Sequence, residues 1–446
     1  MENMTLRYRP RIADRLLADK LESKGAVLIR GPKWCGKTTT AEQLAGSVLY
    51  MSNPRSRKSN LELAELDPQM LLQGETPRLI DEWQIAPSLW DAVRFEVDHR
   101  RIPGQFILTG SAVPIARDSK GADGIFHTGT GRFAILDMLP MSLMESGDST
   151  GEVSLGTLFS TPDAIRGANH HDLRSIAFLT CRGGWPYAIT EGMTPKASLS
   201  QSIDYLDLVV EEDISRVDGR ERNVERARAI MRSYARLQGT QTPVSMIRKD
   251  VMTNDNDSIT DETISSYLNA LRQIFVIKDM PSWNPNLRSK AAIRTTPTRY
   301  FSDPSIATAV LRVGPEDLLG ALPTFGLIFE TLCVRDLRAH WGHSRMSWHI
   351  PPAGIVLKGH GPPCAASAPI REQHIQALAA VNVPVIPGQT VSLRCVADLQ
   401  HLCFHLLSST PLYCFKNSDT DTTKGSVGKC FIFPVINFAW QNFATS

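Results

Sequence analysis

The sequence predicts an α/β fold in which a parallel β-sheet is followed by a mainly helical region. Short apolar runs recur between residues 26 and 136, and each has the length of a buried strand. A glycine-rich loop directly follows the first of these runs, at the strand end where open α/β sheets bind ligands. From residue 150 to about 285 the pattern is mostly that of helices.

The glycine-rich loop joins the first predicted strand, 26–30, to a helix that begins at Lys37. It has the pattern G-x-x-x-x-G-K-[ST], whose glycines let successive backbone N–H groups point at phosphate oxygens. We expect Lys37 to reach the β- and γ-phosphates of ATP and the Thr38 hydroxyl to hold Mg²⁺. An ordinary glycine turn is the alternative, and the flanking strand and helix disfavour it. The predicted nucleotide-binding residues are Gly31, Pro32, Lys33, Trp34, Cys35, Gly36, Lys37, Thr38 and Thr39.

Two adjacent carboxylates end the apolar run at Leu79 and Ile80. We expect Asp81 to help hold Mg²⁺ and Glu82 to act on the attacking water, which are the roles of such a pair in ATPases with this loop. Neighbouring strand residues point to opposite faces, so the two acids need not compete for one position. A surface Asp-Glu pair is the interpretation favoured for the motif alone, but the upstream loop reverses that preference.

A third polar site follows the apolar run 106–108. Thr109 or Ser111, at the carboxyl end of this predicted strand, is placed to hydrogen-bond the γ-phosphate or the attacking water. We assign this role to Thr109, although a Thr-Gly-Ser turn without a ligand fits the local sequence equally well.

Arg132 follows a glycine loop and opens another apolar strand. This is a suitable mount for an arginine supplied to the nucleotide of a neighbouring subunit, where it would stabilise charge on the transferring phosphoryl group. The spacing alone favours a solvated or salt-bridged arginine at a strand edge.

Composition narrows the class of protein. A chain of 446 residues has room for two or three domains, and its net charge of +2 gives no polycation that would force nucleic-acid binding. No run reaches the ~18 apolar residues of a membrane helix, and the N-terminus lacks the core of a signal peptide. Eight cysteines without C-x-x-C spacing indicate neither a zinc ribbon nor a disulfide framework. We therefore predict a cytoplasmic protein with no membrane partner.

Residues 221–285 have the pattern of a winged helix. Helices are predicted over 224–237, over 244–251 and from Thr260 to near Gln273, and a strand over 274–278. The third helix also carries acids that oppose phosphate, so DNA binding and a purely structural role are both open. The side chains that this helix would present to DNA are Ser265, Ser266, Asn269 and Arg272.

Together these motifs resemble a family of predicted prokaryotic AAA+ ATPases that carry a C-terminal domain of uncharacterised function. The resemblance spans roughly residues 5–340. It implies a P-loop NTPase (AAA+) core, a winged helix and a C-terminal domain similar to restriction endonucleases, and it raises the expectation that Arg132 acts in trans within a homo-oligomer. The matching motifs are Tyr8–Arg11, Gly31–Thr38, Leu79–Gln84, Phe106–Ser111, Thr130–Arg132, Pro140–Leu143, Gly183–Pro186 and Phe325–Leu332.

The last hundred residues depart from that family's pattern. Residues 345–446 contain four acidic residues and lack the acid and Glu-x-Lys that would bind Mg²⁺ in a nuclease, so we expect no nuclease activity. A divergent terminal domain and a tail produced by a reading-frame shift are both open, and we favour the second. The irregular spacing of cysteines and histidines disfavours a metal site.

The sequence thus predicts an ATPase that couples hydrolysis of Mg-ATP to a conformational change in an unknown protein partner. The alternative is a nucleotide-gated DNA-binding regulator with little turnover, which would bind DNA through residues 224–285. A third hypothesis is a degenerate product whose tail prevents assembly. The predicted segments are a P-loop core (1–145), a helical linker or lid (146–220), a winged-helix-like domain (221–285), the start of the C-terminal family domain (286–344) and an atypical tail (345–446).

Overall fold

The computed structural model describes residues 7–111, 129–153, 167, 171–217, 219–254, 258–281 and 296–341, and the predicted tail lies outside them. Within these residues, parallel strands form a five-stranded sheet in the order β2-β3-β4-β1-β5. The predicted α/β fold is therefore confirmed. The strands are β1 (Ala26–Arg30), β2 (Ser47–Tyr50), β3 (Arg78–Asp81), β4 (Phe106–Gly110) and β5 (Phe133–Asp137).

The sheet is covered by helices on both faces, which is why its central strands are apolar throughout. Alternate residues of β1 pack in different hydrophobic clusters, since successive side chains point to opposite faces of the sheet. Val27 and Ile29 pack with α1 (Ile12–Ser23) and α2 (Lys37–Glu42). Ala26 and Leu28 pack in a second cluster on the other face. That cluster includes residues of α3 (Arg57–Leu66), α4 (Pro68–Leu71) and α5 (Ser88–Arg100).

The second half of the described chain is helical and shares one core. A continuous hydrophobic cluster runs from Ile176 to Ile328, so the helices on either side of residue 286 pack together. A π-helical turn, Val209–Asp213, joins the helix Pro195–Leu208 to the short helix Ile214–Arg216. The helices are α6 (Leu143–Ser146), α7 (Leu173–Arg182), α8 (Pro195–Leu208), α9 (Ile214–Arg216), α10 (Val224–Arg236), α11 (Val244–Asn254), α12 (Asp261–Gln273), α13 (Pro304–Leu311), α14 (Pro315–Gly320) and α15 (Leu322–Trp341).

The strand predicted over 274–278 is wrong. After α12 the chain turns at Phe275, whose φ of 61° lies in the left-handed region that a strand cannot contain. The described residues instead form isolated antiparallel bridges, Ile277 with Phe301 and Met280 with Thr298. Helices α10 to α12 match the predicted helices closely, and their assignment to a winged helix stays a prediction.

A buried ion-pair network connects the helical region to the segment that follows the sheet. Arg335 of α15 pairs with Asp303 (2.9 Å) and Asp336 (2.6 Å), and the side chains of Arg335 and Asp303 are 1% and 0% exposed. Asp303 also accepts a hydrogen bond from the backbone N–H of Gly184 (3.0 Å). Asp336 accepts one from the backbone N–H of Leu143 in α6 (2.9 Å). The charges are therefore paired at every contact described, as burial requires.

Replacing Asp303 by Asn should destabilise the protein by about 3–5 kcal/mol, because it leaves part of the Arg335 charge buried without its counter-ion. Denaturant unfolding of the full chain measures the change. The control is Glu316→Gln, which removes the ion pair of Glu316 with Arg174; their side chains are 67% and 65% exposed, and such a pair contributes less than about 1 kcal/mol. Equal losses in the two variants would contradict the structural role of the buried network.

Candidate functional site

The loop Gly31–Thr38 joins β1 to α2, as predicted. Gly36 precedes α2 with a φ of +98°, a conformation that L side chains disfavour. At Gly31, a Cβ atom would lie 2.0 Å from the backbone oxygen of Met138, so only glycine fits there. Both glycines of the motif are therefore required by the fold of the loop itself.

The side chain of Lys37 lies inside the curl of this loop. Its Nζ donates to the carbonyl oxygens of Gly31 (3.0 Å) and Pro32 (2.7 Å), and the residue is only 6% exposed. The loop thus surrounds a buried positive charge, which is the arrangement that attracts phosphate oxygens. By contrast, Thr39 is exposed on α2.

Three of the predicted polar residues meet at one oxygen atom. Oδ1 of Asp81 accepts hydrogen bonds from the hydroxyls of Thr38 and Thr109, each at 2.6 Å. The sheet order explains this convergence. Strand β4 lies between β1 and β3, so the carboxyl ends of the three strands bring the loop, Thr109 and Asp81 to one edge of the sheet. A carboxylate and a hydroxyl in contact supply the oxygen ligands that Mg²⁺ prefers, so this donor set fits the predicted metal.

Glu82 lies beside this cluster for a different reason from the one we expected. Strand alternation does not separate the two acids, because β3 ends at Asp81 and Glu82 has left-handed backbone angles (φ 56°, ψ 44°). Its carboxylate accepts a hydrogen bond from Nε2 of Gln84. Burial raises the pKa of Glu82, the charge of nearby Lys37 lowers it, and Asp81 raises it further, with a net shift upward. Glu82 is therefore an acid whose proton affinity is set by the site.

Arg132 is not brought to the loop. It precedes β5, and parallel pairing places it beside Ala26, at the amino edge of the sheet. The loop lies at the carboxyl edge, a strand length of about 15 Å away at ~3.3 Å per residue. Its guanidinium forms an ion pair with Asp98 (2.8 Å) and is 42% exposed. The hydrogen bond with Arg132 lowers the pKa of Asp98. If Arg132 acts on a nucleotide, that nucleotide must therefore be bound to another subunit.

Arg11 contacts the loop, although sequence reasoning gave it no role. Its buried guanidinium donates to the carbonyl oxygen of Cys35 in the loop (2.8 Å), to that of Leu139 (2.9 Å) and to the carboxylate of Glu145 (3.0 Å). Burial alone would raise the pKa of Glu145, but Arg11 and the backbone N–H groups of Ser142 and Ile12 outweigh it, so the pKa is lowered. The only sequence signal for Arg11 was its place in a motif of the resembled family.

The helical region also reaches the loop. Lys33 pairs with Asp213 of the π-helical turn, with Nζ and Oδ1 2.5 Å apart. A small cavity of about 100 Å³ lies beside this pair, and the exposed indole of Trp34 forms part of its wall. Short π-helical turns often occur at functional sites. The cavity is lined by Lys33, Trp34, Tyr205, Leu208, Glu212 and Asp213.

The side chains predicted to face DNA are partly engaged within the protein. Arg272 of α12 pairs with Asp279 (2.6 Å) and donates to Oδ1 of Asn269 (2.7 Å). Asp279 also pairs with Arg299 (3.0 Å). Part of the positive charge on this surface is thus neutralised locally, and DNA binding stays a prediction.

Other kinds of site are restricted by what the described residues contain. Those residues include no cluster of three or more His, Cys, Asp or Glu side chains that could hold a metal ion. Cys35 and Cys181 are buried free thiols, and Cys333 is also buried. In the same part of the chain, no helix is both long and apolar enough to cross a membrane.

Two family models match the chain. Residues 23–146 match a family described as "AAA domain", and residues 173–317 match one described as "Domain of unknown function (DUF8612)". The first match covers the sheet and its loop, and the second covers most of the helical region. The predicted combination of an AAA-type core with a C-terminal domain of unknown function is confirmed.

The chain is similar to uncharacterized proteins of Mycobacterium tuberculosis and Mycobacterium bovis. Each is 22% identical over 319 residues, which are 70% of this chain and 62% of the relative, so the chain spans less than two thirds of the relatives' length. Among solved structures, a Walker-type ATPase of Pyrococcus abyssi is 15% identical with a TM-score of 0.41, covering 70% of this chain and 99% of that one. A signal transduction ATPase with a tetratricopeptide repeat sensor, from Pyrococcus horikoshii, is 13% identical with a TM-score of 0.19, covering 74% and 48%.

Replacing Arg11 by Met should destabilise the protein and change how its stability depends on pH. The folded-state pKa of Glu145 is lowered, so its ionised form stabilises the wild type above the ordinary pKa of 4.5, and this is lost as pH falls through the folded-state value. Without Arg11, burial dominates and that pKa rises. The acid loss of stability should then begin at a higher pH.

Thermal unfolding from neutral to acid pH measures this shift. The matched control is Arg9→Met, since Arg9 is part-exposed, donates to the backbone oxygen of Ser146 (3.1 Å) and pairs with the exposed carboxylate of Glu191 (3.7 Å) rather than with a buried one. An Arg11→Met profile parallel to that of the wild type would contradict the assigned pairing.

Proposed function

We propose that this chain is a prokaryotic AAA+-like ATPase, which the match of residues 23–146 to an AAA domain supports, and that it hydrolyses ATP at Gly31–Thr38 and couples hydrolysis to a movement of its helical region and of a protein partner. The observation that carries the proposal is the convergence of Thr38 and Thr109 on Oδ1 of Asp81. It joins the phosphate-binding loop to two further strands at a single oxygen.

Phosphate binding is assigned to the loop. The backbone N–H groups of Gly31–Thr38 and the ammonium of Lys37 would hold the β- and γ-phosphates. Thr38 and Asp81 would hold Mg²⁺, which when bound neutralises phosphate charge. Thr109 donates to the same carboxylate from the end of β4, which supports its assignment to contact with the γ-phosphate.

Proton transfer is assigned to Glu82. A general base must be ionised to accept a proton from the attacking water, and it works best when its pKa approaches the operating pH. Burial raises the pKa of Glu82, and the positive charge of Lys37 limits that rise. The acid limb of the rate profile should therefore lie above the ordinary glutamate pKa of 4.5.

The contact between Lys33 and Asp213 supplies a route from the site to the helical region. Lys33 belongs to the phosphate-binding loop, and Asp213 belongs to a turn between two helices. A phosphate in the loop would attract the same ammonium that Asp213 holds. Nucleotide binding and hydrolysis would in this way weaken or restore the contact between loop and helices.

A homo-oligomer is part of this proposal, because Arg132 lies too far from its own loop to act there. Its exposed position at the amino edge of the sheet suits contact with a second subunit. We also propose that the protein acts in the cytoplasm on a protein partner that it remodels.

Replacing Glu82 by Gln should preserve ATP binding and lower turnover by roughly 10²–10⁴-fold, since it removes the base and keeps the shape. Phosphate release at saturating Mg-ATP measures turnover, and equilibrium titration with a fluorescent ATP analogue measures binding. Lys37→Ala should lose binding instead. The control is Glu62→Gln, on the exposed side of α3. Normal turnover in Glu82→Gln would place the base elsewhere, and normal binding in Lys37→Ala would reject the loop as the phosphate site.

Replacing Arg132 by Ala should spare ATP binding and lower hydrolysis if the guanidinium acts on a neighbouring subunit. In the wild type, activity per subunit should then rise with protein concentration as oligomers form, and in the variant this rise should be largely lost. Arg174→Ala, at another exposed arginine, is the control. Activity per subunit that is independent of concentration across the assembly transition would reject the role in trans.

A further inference from the structure

Gln84 lies two residues beyond the proposed base, in a short 3-10 turn, Trp83–Ile85. The left-handed backbone of Glu82 turns the chain away from β3, so that the side chains of residues 82 and 84 meet. Nε2 of Gln84 donates a hydrogen bond to Oε2 of Glu82. Among the described residues, the side chain that donates a hydrogen bond to the Glu82 carboxylate is that of Gln84.

The other end of the Gln84 amide is packed against β4. A Cβ atom at Gly110 would lie 2.8 Å from Oε1 of Gln84 and 3.2 Å from Nε1 of Trp83. A glycine at this position therefore makes the space that the amide occupies. Gly110 directly follows Thr109, so the amide lies at the carboxyl end of the strand that supplies the proposed γ-phosphate contact.

Among the described residues, the nitrogen of this amide forms a hydrogen bond and its oxygen does not. In the described part of the chain, Oε1 of Gln84 and Nε1 of Trp83 are both buried without a partner, although one is an acceptor and the other a donor beside the same glycine. Buried polar atoms are costly when unpaired, so the bond from Nε2 to Glu82 is the hydrogen bond that orients this amide among the described residues.

We propose that Gln84 is the positioning residue for Glu82, holding the carboxylate in the orientation in which it accepts a proton from the attacking water. This inference rests on the proposed function, because it assigns to Gln84 a role that acts through the general base.

The test is Gln84→Met in the full chain, which keeps the volume of the side chain and removes both polar atoms. We expect kcat to fall by about tenfold or more, but by less than the 10²–10⁴-fold that a general base contributes, while the KM for Mg-ATP stays within about twofold. A fall in kcat at an unchanged KM separates lost positioning of the base from lost nucleotide binding.

Gln105→Met is the matched control. Gln105 is buried, its Nε2 donates to the backbone oxygen of Ile102 (2.6 Å), and its Oε1, like that of Gln84, has no partner among the described residues. It precedes β4, at the opposite end of the strand from the site. Loss of a half-paired amide is thus common to both variants, and only Gln84→Met should lower kcat.

A second variant, Gln84→Glu, keeps the inference testable if the first fails to fold. A carboxylate at this position cannot donate when ionised and repels Glu82, so kcat should fall at least as far as in Gln84→Met. Wild-type kcat in either folded variant would overturn the role of Gln84. If Glu82→Gln abolishes turnover and the Gln84 variants do not, only this inference fails; if Glu82→Gln is active, the proposed function fails and this inference with it.

Discussion

The guanidinium of Arg11 is the contact on which the position of the phosphate-binding loop depends. It donates to carbonyl oxygens of Cys35 and Leu139 and to the carboxylate of Glu145, with its side chain 3% exposed. A buried guanidinium is tolerated only when its donors are paired. Cys35 lies more than a hundred residues before Leu139 and Glu145, so Arg11 holds two distant segments of the chain together. A shift of either segment would leave a buried donor of Arg11 unpaired.

Two of those acceptors, Leu139 and Glu145, belong to a short segment that also connects the two halves of the chain. Within residues 138–143, the backbone N–H of Met138 donates to Arg30 at the end of β1 (2.8 Å), and that of Met141 donates to the oxygen of Gly184 (2.6 Å). A Cβ at Gly184 would lie 2.0 Å from the oxygen of Met141. The helical region therefore meets the sheet through backbone contacts directly behind the loop, where a shift of either would move the other.

Sequence patterns predicted the parts of the site that are contiguous in the chain. The loop with Lys37, and the acid at Asp81, each carry their flanking strand or helix with them, so local periodicity was sufficient. The meeting of Asp81 with Thr109 followed from the rule that parallel strands share one carboxyl edge. The distance of Arg132 from the loop follows from the same rule, because a residue that precedes a parallel strand lies at the other edge. Arg11 and Glu145 had no such signal, since their pairing depends on the final packing, and the turn at Glu82 interrupts a pattern that resembled a longer strand.

One positive charge links the state of the loop to the state of the helical region. Lys33 is held by Asp213, and its charge also lowers the pKa of Glu82. A phosphate group in the loop and the carboxylate of Asp213 are both anions that attract the ammonium of Lys33, so each weakens the interaction of Lys33 with the other. Coupling of this kind is reciprocal: if release of Asp213 strengthens the binding of phosphate by some factor, bound phosphate favours release of Asp213 by the same factor. A helical region pulled away by a partner would therefore strengthen nucleotide binding, and a nucleotide bound first would loosen the helices in readiness for that partner.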